Sequence, residues 1–205
     1  MAGHIIFLNG TSSAGKTTLA HALQETLPEF WLHVALDQFR DGMPDRFRGL
    51  NASPGETGAD GLNVVPVTSE DGTRYTEVRF GETGASMLKG MRRAMRALVE
   101  SGTNIIIDDI ILEPAFLCDY LDVFNGLIVT FVGVRCPADV INAREAARPG
   151  RFPGTAVGHL AVCHAHGDYD IEVDTSRQSP IECATLIAGQ RNRDTNGAFS
   201  RIRAR

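Results

Sequence analysis

The chain has 205 residues, carries 25 acidic and 20 basic side chains for a formal net charge of −5, and is 43% hydrophobic. This size suits one domain with a sizeable core, and the negative charge argues against DNA or RNA as a partner. The four cysteines are far apart and lack Cys-x-x-Cys spacing, which predicts reduced structural thiols. No apolar run is long enough to span a membrane and no signal peptide precedes the first predicted strand, so we expect a cytoplasmic protein.

A glycine-rich loop follows the first predicted strand, residues 4–8, and precedes a predicted helix over 16–27. Its sequence, Gly-Thr-Ser-Ser-Ala-Gly-Lys-Thr over 10–17, fits the phosphate-binding pattern Gly-x4-Gly-Lys-Ser/Thr. In such a loop the backbone N–H groups surround a polyphosphate, the lysine binds its β and γ groups, and the last hydroxyl binds Mg²⁺. The alternative is a glycine-rich turn without a ligand. The loop predicts nucleotide contacts from Gly10, Ser12, Ser13, Ala14, Gly15, Lys16, Thr17 and Thr18.

Strand and helix patterns alternate along the rest of the chain. Apolar strands are predicted over 31–36, 104–107, 127–134 and 169–173, and helices over 82–100, 138–147 and 180–190. Strands that are apolar almost throughout are typical of a parallel sheet covered by helices on both faces. We therefore predict a single α/β domain over residues 1–190.

Two segments break this pattern. Residues 44–81 are rich in glycine, proline and aspartate, and turn signals flank two strand-like runs, which predicts a small inserted hairpin. That hairpin is either a surface excursion or a cover over the substrate. Residues 191–205 contain five arginines and little apolar sequence, which predicts a disordered basic tail, with an anion-binding arm as the alternative.

Carboxylates end the second and third predicted strands. Asp37 follows the second strand, and Asp108 and Asp109 follow Ile105-Ile-Ile in the third. Since ligands of a parallel sheet bind outside the carboxyl ends of its strands, we predict that Asp37 lies beside the loop and takes the proton of a substrate hydroxyl. Its alternative role is to cap a helix beginning near Gln38. Asp108 is our candidate to hold Mg²⁺ with Thr17, although the spacing does not decide between it and Asp109.

Three arginines, Arg144, Arg148 and Arg151, follow the fourth predicted strand, and Pro149-Gly150 breaks the helix between them. Phosphoryl transfer spreads negative charge over equatorial oxygens, and arginines on a closing segment stabilise that charge and exclude water. We predict that Arg148 and Arg151 clamp the transferring group and that Arg144 and Arg148 contact the nucleotide. The alternative is that these side chains are simply solvated.

Further motifs extend through most of the chain, in order Ile-Phe-Leu-Asn-Gly-Thr-Ser-Ser-Ala-Gly-Lys over 6–16, Leu-Pro-Glu over 27–29, Met-Pro over 43–44, Ile-Ile-Ile-Asp-Asp over 105–109, Val-Gly-Val-Arg-Cys over 132–136, Arg-Glu-x-Ala-Arg over 144–148, Tyr-Asp-x-Glu-Val-Asp-Thr over 169–175 and Ser-Pro-Ile-Glu-Cys-Ala over 179–184. Together they resemble the chloramphenicol phosphotransferase family of small P-loop kinases. The resemblance implies a three-layer P-loop fold with a five-stranded parallel sheet in the order 2-3-1-4-5 and ATP as donor. It also implies Asp37 as general base and Arg148 and Arg151 as lid arginines.

Residues 47–87 do not follow the family pattern closely, although this region is expected to wall the acceptor pocket. The resemblance therefore implies the reaction more firmly than the acceptor. Four side chains either form an apolar pocket for an aromatic, weakly charged acceptor or belong to the core, namely Phe39, Met43, Phe47 and Phe80.

These features predict an ATP- and Mg²⁺-dependent kinase that phosphorylates a hydroxyl of a small molecule, chloramphenicol or a related antibiotic being the first acceptor to try. The alternative in the same class is a metabolite or nucleoside kinase. The alternative in another class is a nucleotide-binding switch with slow ATP hydrolysis; the Asn/Thr-Lys-x-Asp motif expected of a GTPase is absent. A nucleic-acid end kinase would need a basic channel, against which the composition argues.

Overall fold

The computed structural model describes residues 1–68, 70, 72, 74–147 and 154–205. The described residues form eight strands, in chain order β1 (Ile5–Asn9), β2 (Trp31–Ala35), β3 (Arg48–Leu50), β4 (Leu62–Thr68), β5 (Arg74–Phe80), β6 (Asn104–Asp109), β7 (Val129–Arg135) and β8 (Ile171–Asp174). The helices among them are α1 (Lys16–Thr26), α2 (Leu36–Asp41), α3 (Thr57–Asp60), α4 (Glu82–Glu100), α5 (Pro114–Val123), α6 (Ala138–Ala146), α7 (Thr155–Val162), α8 (Pro180–Gln190) and α9 (Ala198–Arg203).

Five strands form the central sheet in the order β2-β6-β1-β7-β8, and every neighbouring pair is parallel. Numbered along the chain among themselves, these strands have the order 2-3-1-4-5, which confirms the predicted fold class. The register aligns their carboxyl ends, since Asp108 of β6 pairs with Leu8 of β1 and with Ala35 of β2. The residues that follow β1, β2 and β6 therefore meet at one edge of the sheet.

Two apolar layers, one on each face of the sheet, form the core. Because side chains alternate along a strand, Ile6 and Leu8 pack on one face with α1 and α8, while Ile5 and Phe7 pack on the other with α4 and α5. All four side chains are at most 1% exposed. Burial on both faces is the physical reason that the central strands read as continuous apolar runs.

The insertion forms a second, three-stranded sheet in the order β3-β4-β5. Strands β4 and β5 make the predicted antiparallel hairpin, and β3 adds to it in parallel. Helix α7 packs on β5 so closely that a Cβ atom at Gly158 would lie 2.7 Å from Tyr75 Cδ2. The insertion is therefore joined to the main domain through α7.

The C-terminal segment differs from the predicted disordered tail. Residues Ala198–Arg203 form α9, and the Phe199 side chain is 5% exposed, with its ring centroid 5.0 Å from that of Phe131 and 5.9 Å from that of Phe7. Arg201 forms an ion pair with Asp168 at 2.7 Å. The prediction of disorder was wrong because the few apolar side chains of this segment, Phe199 with Ala198 and Ile202, pack against aromatic rings of distant strands.

No helix among the described residues combines the length and the apolar character that crossing a membrane requires.

Candidate active site

The loop between β1 and α1 has the backbone of an anion cradle. Gly15 has a φ angle of 90° and Ser13 one of 61°, so the chain turns through left-handed conformations just before α1 begins at Lys16. At Gly10 a Cβ atom would lie 2.5 Å from the carbonyl oxygen of Val134, so only glycine fits. These turns leave the first N–H groups of α1 at a helix N-terminus, where an anion is stabilised.

Lys16, Thr17 and Asp108 come together at the sheet edge. The Thr17 hydroxyl donates to Asp108 Oδ2 at 2.6 Å, and Lys16 Nζ lies 3.6 Å from Asp108 Oδ1. Burial by itself would raise the pKa of Asp108, but the Lys16 ammonium, the His33 ring 3.7 Å away and the Thr17 hydrogen bond lower that pKa to about 2. Asp108 is therefore an ionised carboxylate next to a hydroxyl, and oxygen donors of these two kinds are what Mg²⁺ prefers.

Asp109, the neighbour that the sequence left open as an alternative, is bonded elsewhere. It accepts a hydrogen bond from the Tyr120 hydroxyl of α5 through Oδ2 and one from the N–H of Ile110 through Oδ1 at 2.7 Å. Burial raises the pKa of Asp109 despite these two hydrogen bonds. Its carboxylate therefore braces β6 against α5.

Asp37 lies in the first turn of α2, directly after β2, and borders the same cavity as the loop. It does not serve as the helix cap, because α2 begins one residue earlier and Ala35 occupies the N-cap position. Its side chain is 53% exposed and accepts a hydrogen bond at 2.7 Å from Arg40 Nη1, while the other nitrogens of Arg40 bond Asp41. Arg40 thus holds the Asp37 carboxylate in one orientation while leaving it accessible.

Arg144 contacts the back of the loop through Thr175. Its Nη1 donates to Thr175 Oγ1 at 3.1 Å and its Nη2 to the Thr175 carbonyl at 2.8 Å, and the Thr175 hydroxyl donates to the Ala14 carbonyl at 2.7 Å. The other two predicted arginines, Arg148 and Arg151, lie outside the described residues.

One cavity of about 800 Å³ joins these elements. The loop lines it with Ser12, Ser13, Lys16 and Thr17. The insertion and α7 line it with Arg48, Leu50, Leu62, Val64, Val78, Thr155 and His159. The insertion is thus a wall of the candidate site, which favours the covering role over the surface excursion. Sequence reasoning missed the α7 residues and His33. For His33 a signal was available: it lies two residues before Ala35 and therefore on the same face of β2, and both residues line the cavity.

The four side chains predicted as a possible apolar pocket do not line this cavity. None of Phe39, Met43, Phe47 and Phe80 borders this cavity in the described residues; Phe39 and Phe80 pack against the core, and Phe47 and Phe80 border a shallower depression behind the insertion. Aliphatic side chains of the insertion supply the apolar wall instead. For Phe39 and Phe80 the alternative of ordinary core packing is correct.

The residues present fit a nucleotide with Mg²⁺. The buried Ser13 hydroxyl has no hydrogen-bond partner among the described residues. It lies in the loop that also carries Lys16, where it could donate a hydrogen bond to a phosphate oxygen. No group of three or more histidine, cysteine or acidic side chains within the described residues is placed to hold a metal. A cation held by one hydroxyl and one carboxylate needs phosphate and water oxygens to complete its shell, as Mg²⁺ does in phosphoryl transfer.

Comparison with known proteins gave matches over most of the chain. A family model described as chloramphenicol phosphotransferase-like protein matches residues 3–192. In two strains of Mycobacterium tuberculosis, a protein named as a putative O-phosphotransferase is 35% identical over 182 residues, covering 89% of this chain and 79% of the relative.

Solved structures with a similar fold include several kinases. A sugar kinase from Janibacter has a TM-score of 0.61 at 21% identity, covering 92% of this chain and 94% of that one. The Mycobacterium tuberculosis APS kinase bound to AMPPNP and APS has a TM-score of 0.60 at 15% identity over 92% and 97%. A gluconokinase from Sinorhizobium meliloti has a TM-score of 0.55 at 16% identity, covering 92% of each chain. At these identities the likeness concerns the fold alone.

Proposed function

Since the chain belongs to the chloramphenicol phosphotransferase-like protein family and is a phosphotransferase of kinase fold, we propose that it moves the γ-phosphate of ATP to a hydroxyl group of a small molecule, chloramphenicol or a related antibiotic. The observation that carries this proposal is the shared cavity, which is lined by the phosphate loop, by Asp37 and by the insertion. A donor and an acceptor bound in one cavity have the proximity that in-line transfer requires.

The donor half of the proposed site is the loop and the end of β6. The loop N–H groups and Lys16 bind the β and γ phosphates, and the Ser13 hydroxyl adds one more hydrogen bond. Thr17 and Asp108 would hold Mg²⁺, which supplies positive charge to the phosphate oxygens when bound. Arg148 and Arg151 are proposed to clamp the transferring group, and Arg144 to support the nucleotide from behind Gly15. ATP as donor is in keeping with the cytoplasmic location we propose.

The acceptor half is proposed to centre on Asp37. Its exposed carboxylate accepts the proton of the acceptor hydroxyl as that oxygen attacks phosphorus, while Arg40 keeps the carboxylate oriented. The insertion contributes the aliphatic side chains Leu50, Leu62, Val64 and Val78 to the same cavity, and its Arg48 is paired with Asp45. A hydroxylated, weakly charged molecule suits this lining better than a phosphorylated or carboxylated one, which would call for unpaired cations.

The experiment that tests the proposal measures phosphate transfer from labelled ATP to a panel of phenicols, sugars and nucleosides. We expect transfer to chloramphenicol, and we expect Asp37→Asn to lower kcat at least 100-fold while the Kd for ATP stays within about 3-fold, since the base acts only in the transition state. Asp122→Asn, an exposed aspartate on α5, is the matched control and should leave both constants unchanged.

Different outcomes separate the parts of the proposal. Transfer to another hydroxylated compound and to no phenicol would retain the kinase and replace the acceptor. Full turnover in Asp37→Asn would remove Asp37 as the base. ATP hydrolysis that is independent of every acceptor would favour a nucleotide switch over a kinase.

A further inference from the structure

Glu145, near the end of α6, has a buried carboxylate with backbone partners on the next helix. Its side chain is buried, Oε2 accepts from the N–H of Gly154 at 2.9 Å, and Oε1 accepts from the N–H of Ala156 at 3.0 Å. These two N–H groups belong to the start of α7, where the helix dipole also favours a negative charge. One carboxylate thus fixes the position and direction of the first turn of α7.

The same turn touches the phosphate loop. The Thr11 hydroxyl in the loop donates to the carbonyl oxygen of Ala156 at 2.5 Å, and both residues are fully buried. The backbone of Ala156 therefore makes two hydrogen bonds: its N–H donates to Glu145, and its carbonyl accepts from Thr11 of the phosphate loop. A displacement of Ala156 would therefore also displace the phosphate loop, which is the donor half of the site.

The turn also touches the insertion. The N–H of Thr76 on β5 lies 3.4 Å from the carbonyl oxygen of Gly154, and a Cβ atom at Gly154, whose φ is 85°, would lie 2.9 Å from the Cα of Tyr75. The insertion supplies the acceptor wall of the cavity, and α7 itself contributes Thr155 and His159 to the lining. The start of α7 is thus a junction between the two halves of the site.

We propose that Glu145 is a positioning residue: by holding the first turn of α7 against both the phosphate loop and β5, it sets the distance between the donor and acceptor halves. This inference rests on the proposed kinase function. It concerns a residue that touches neither substrate, so its loss should affect the alignment of two bound reactants more than the binding of either. In-line transfer is sensitive to such alignment, since a misplacement of about 1 Å reduces rates by roughly 100-fold.

Glu145→Gln tests the charge at nearly constant volume. The amide has one acceptor oxygen for two backbone donors, and its own N–H groups oppose the second donor, so one buried N–H is left unpaired. Asp139→Asn removes a carboxylate from the exposed first turn of the same helix and is the matched control. Gly154→Ala strains the same junction from the β5 side and is a second, independent variant.

Two measurements are needed, steady-state kinetics with ATP and the acceptor, and deuterium exchange of the ligand-free proteins. In Glu145→Gln we expect kcat to fall between about 10- and 100-fold with KM for ATP within about 3-fold, and the amides of residues 154–158 to exchange faster. Gly154→Ala should show the same kcat loss, and Asp139→Asn should match the wild type in both measurements.

The inference is overturned by a wild-type kcat in Glu145→Gln, by a kcat loss without faster exchange at 154–158, or by a rise in KM for ATP that accounts for the whole loss. If Glu145→Gln fails to fold, Gly154→Ala decides by the same criteria. If the wild-type protein phosphorylates no acceptor, the proposed function fails by itself. The deuterium-exchange comparison still tests whether Glu145 holds the start of α7. Unchanged exchange at residues 154–158 in Glu145→Gln would overturn that inference.

Discussion

Two adjacent carboxylates at the end of β6 have opposite surroundings. Asp108 faces Lys16 and Thr17, and its pKa of about 2 is close to two units below the ordinary value of 3.8. That difference corresponds to about 2 kcal/mol in favour of the ionised form. Asp109 lies under Tyr120 on the other side of the strand, and burial raises its pKa. Alternation along one strand thus turns one aspartate towards Lys16 and Thr17 of the phosphate loop and its neighbour towards Tyr120 of α5.

We therefore predict that Asp108→Asn lowers activity, whereas Asp109→Asn lowers the stability of the fold. Asp108→Asn should reduce Mg²⁺-dependent transfer by at least 100-fold, because the charged oxygen next to Thr17 is lost. Asp109→Asn should instead destabilise the fold by about 1–3 kcal/mol, because a single amide oxygen cannot satisfy both Tyr120 and the Ile110 N–H. Initial rates and urea unfolding measure the two effects. Equal loss of activity at equal stability in both variants would contradict this division.

At the scale of elements, the inserted hairpin presents one face to the cavity. Val64 of β4 pairs with Val78 of β5, and both line the cavity with Leu62. The intervening residues Asn63 and Val65 face the opposite side and border the shallower depression behind it. Neighbouring residues of the hairpin therefore face opposite sides, one towards the cavity and one away from it.

This alternation predicts that Val64→Ala and Val65→Ala differ in substrate binding. Val64→Ala removes two methyl groups from the acceptor wall and should raise KM for the acceptor by about 5- to 10-fold, with KM for ATP unchanged. Val65→Ala, the same substitution one residue along, should leave both KM values near those of the wild type. Measuring KM for both substrates in both variants checks the prediction. An equal rise for the acceptor in the two variants would mean that the hairpin is not the acceptor wall.

At the scale of the whole molecule, the features that could be predicted from the sequence are those that depend on contiguous stretches of residues. The sheet and the phosphate loop were predictable because apolar runs and the glycine spacing are contiguous. The contacts of Glu145 were not predictable. Its partners are the backbone N–H groups of Gly154 and Ala156, and a backbone group has no sequence signature. Helix α9 was missed for a related reason: Phe199 is ordered by rings from β1 and β7, which only the fold brings near it.

Two half-buried histidines, His164 and His166, follow α7, and we expect them to make the stability of the molecule depend on pH. His164 Nδ1 lies 2.6 Å from the Tyr169 hydroxyl, which accepts a hydrogen bond at 2.7 Å from Asn9 at the end of β1. Burial, followed by Arg135 and His166, lowers the pKa of His164 to about 4 against an unfolded value of 6.5, with Glu172 opposing and Lys16 adding slightly. Burial and Arg135 likewise lower the pKa of His166.

A depressed histidine pKa means that the unfolded chain binds protons first, so stability is complete above pH 6.5 and falls as the pH approaches 4. Because the His164 ring is only half-buried, solvent screens part of this effect, and we expect the loss to reach on the order of 1–2 kcal/mol by about pH 4.5. Urea unfolding of the wild type and of His164→Asn between pH 7.5 and 4.5 measures it. Because other groups titrate in both proteins, the difference in slope isolates His164, and we expect the variant to lose less stability on acidification. Parallel pH dependences in the two proteins would show that His164 binds its proton equally well folded and unfolded, contrary to its half-buried position beside Tyr169.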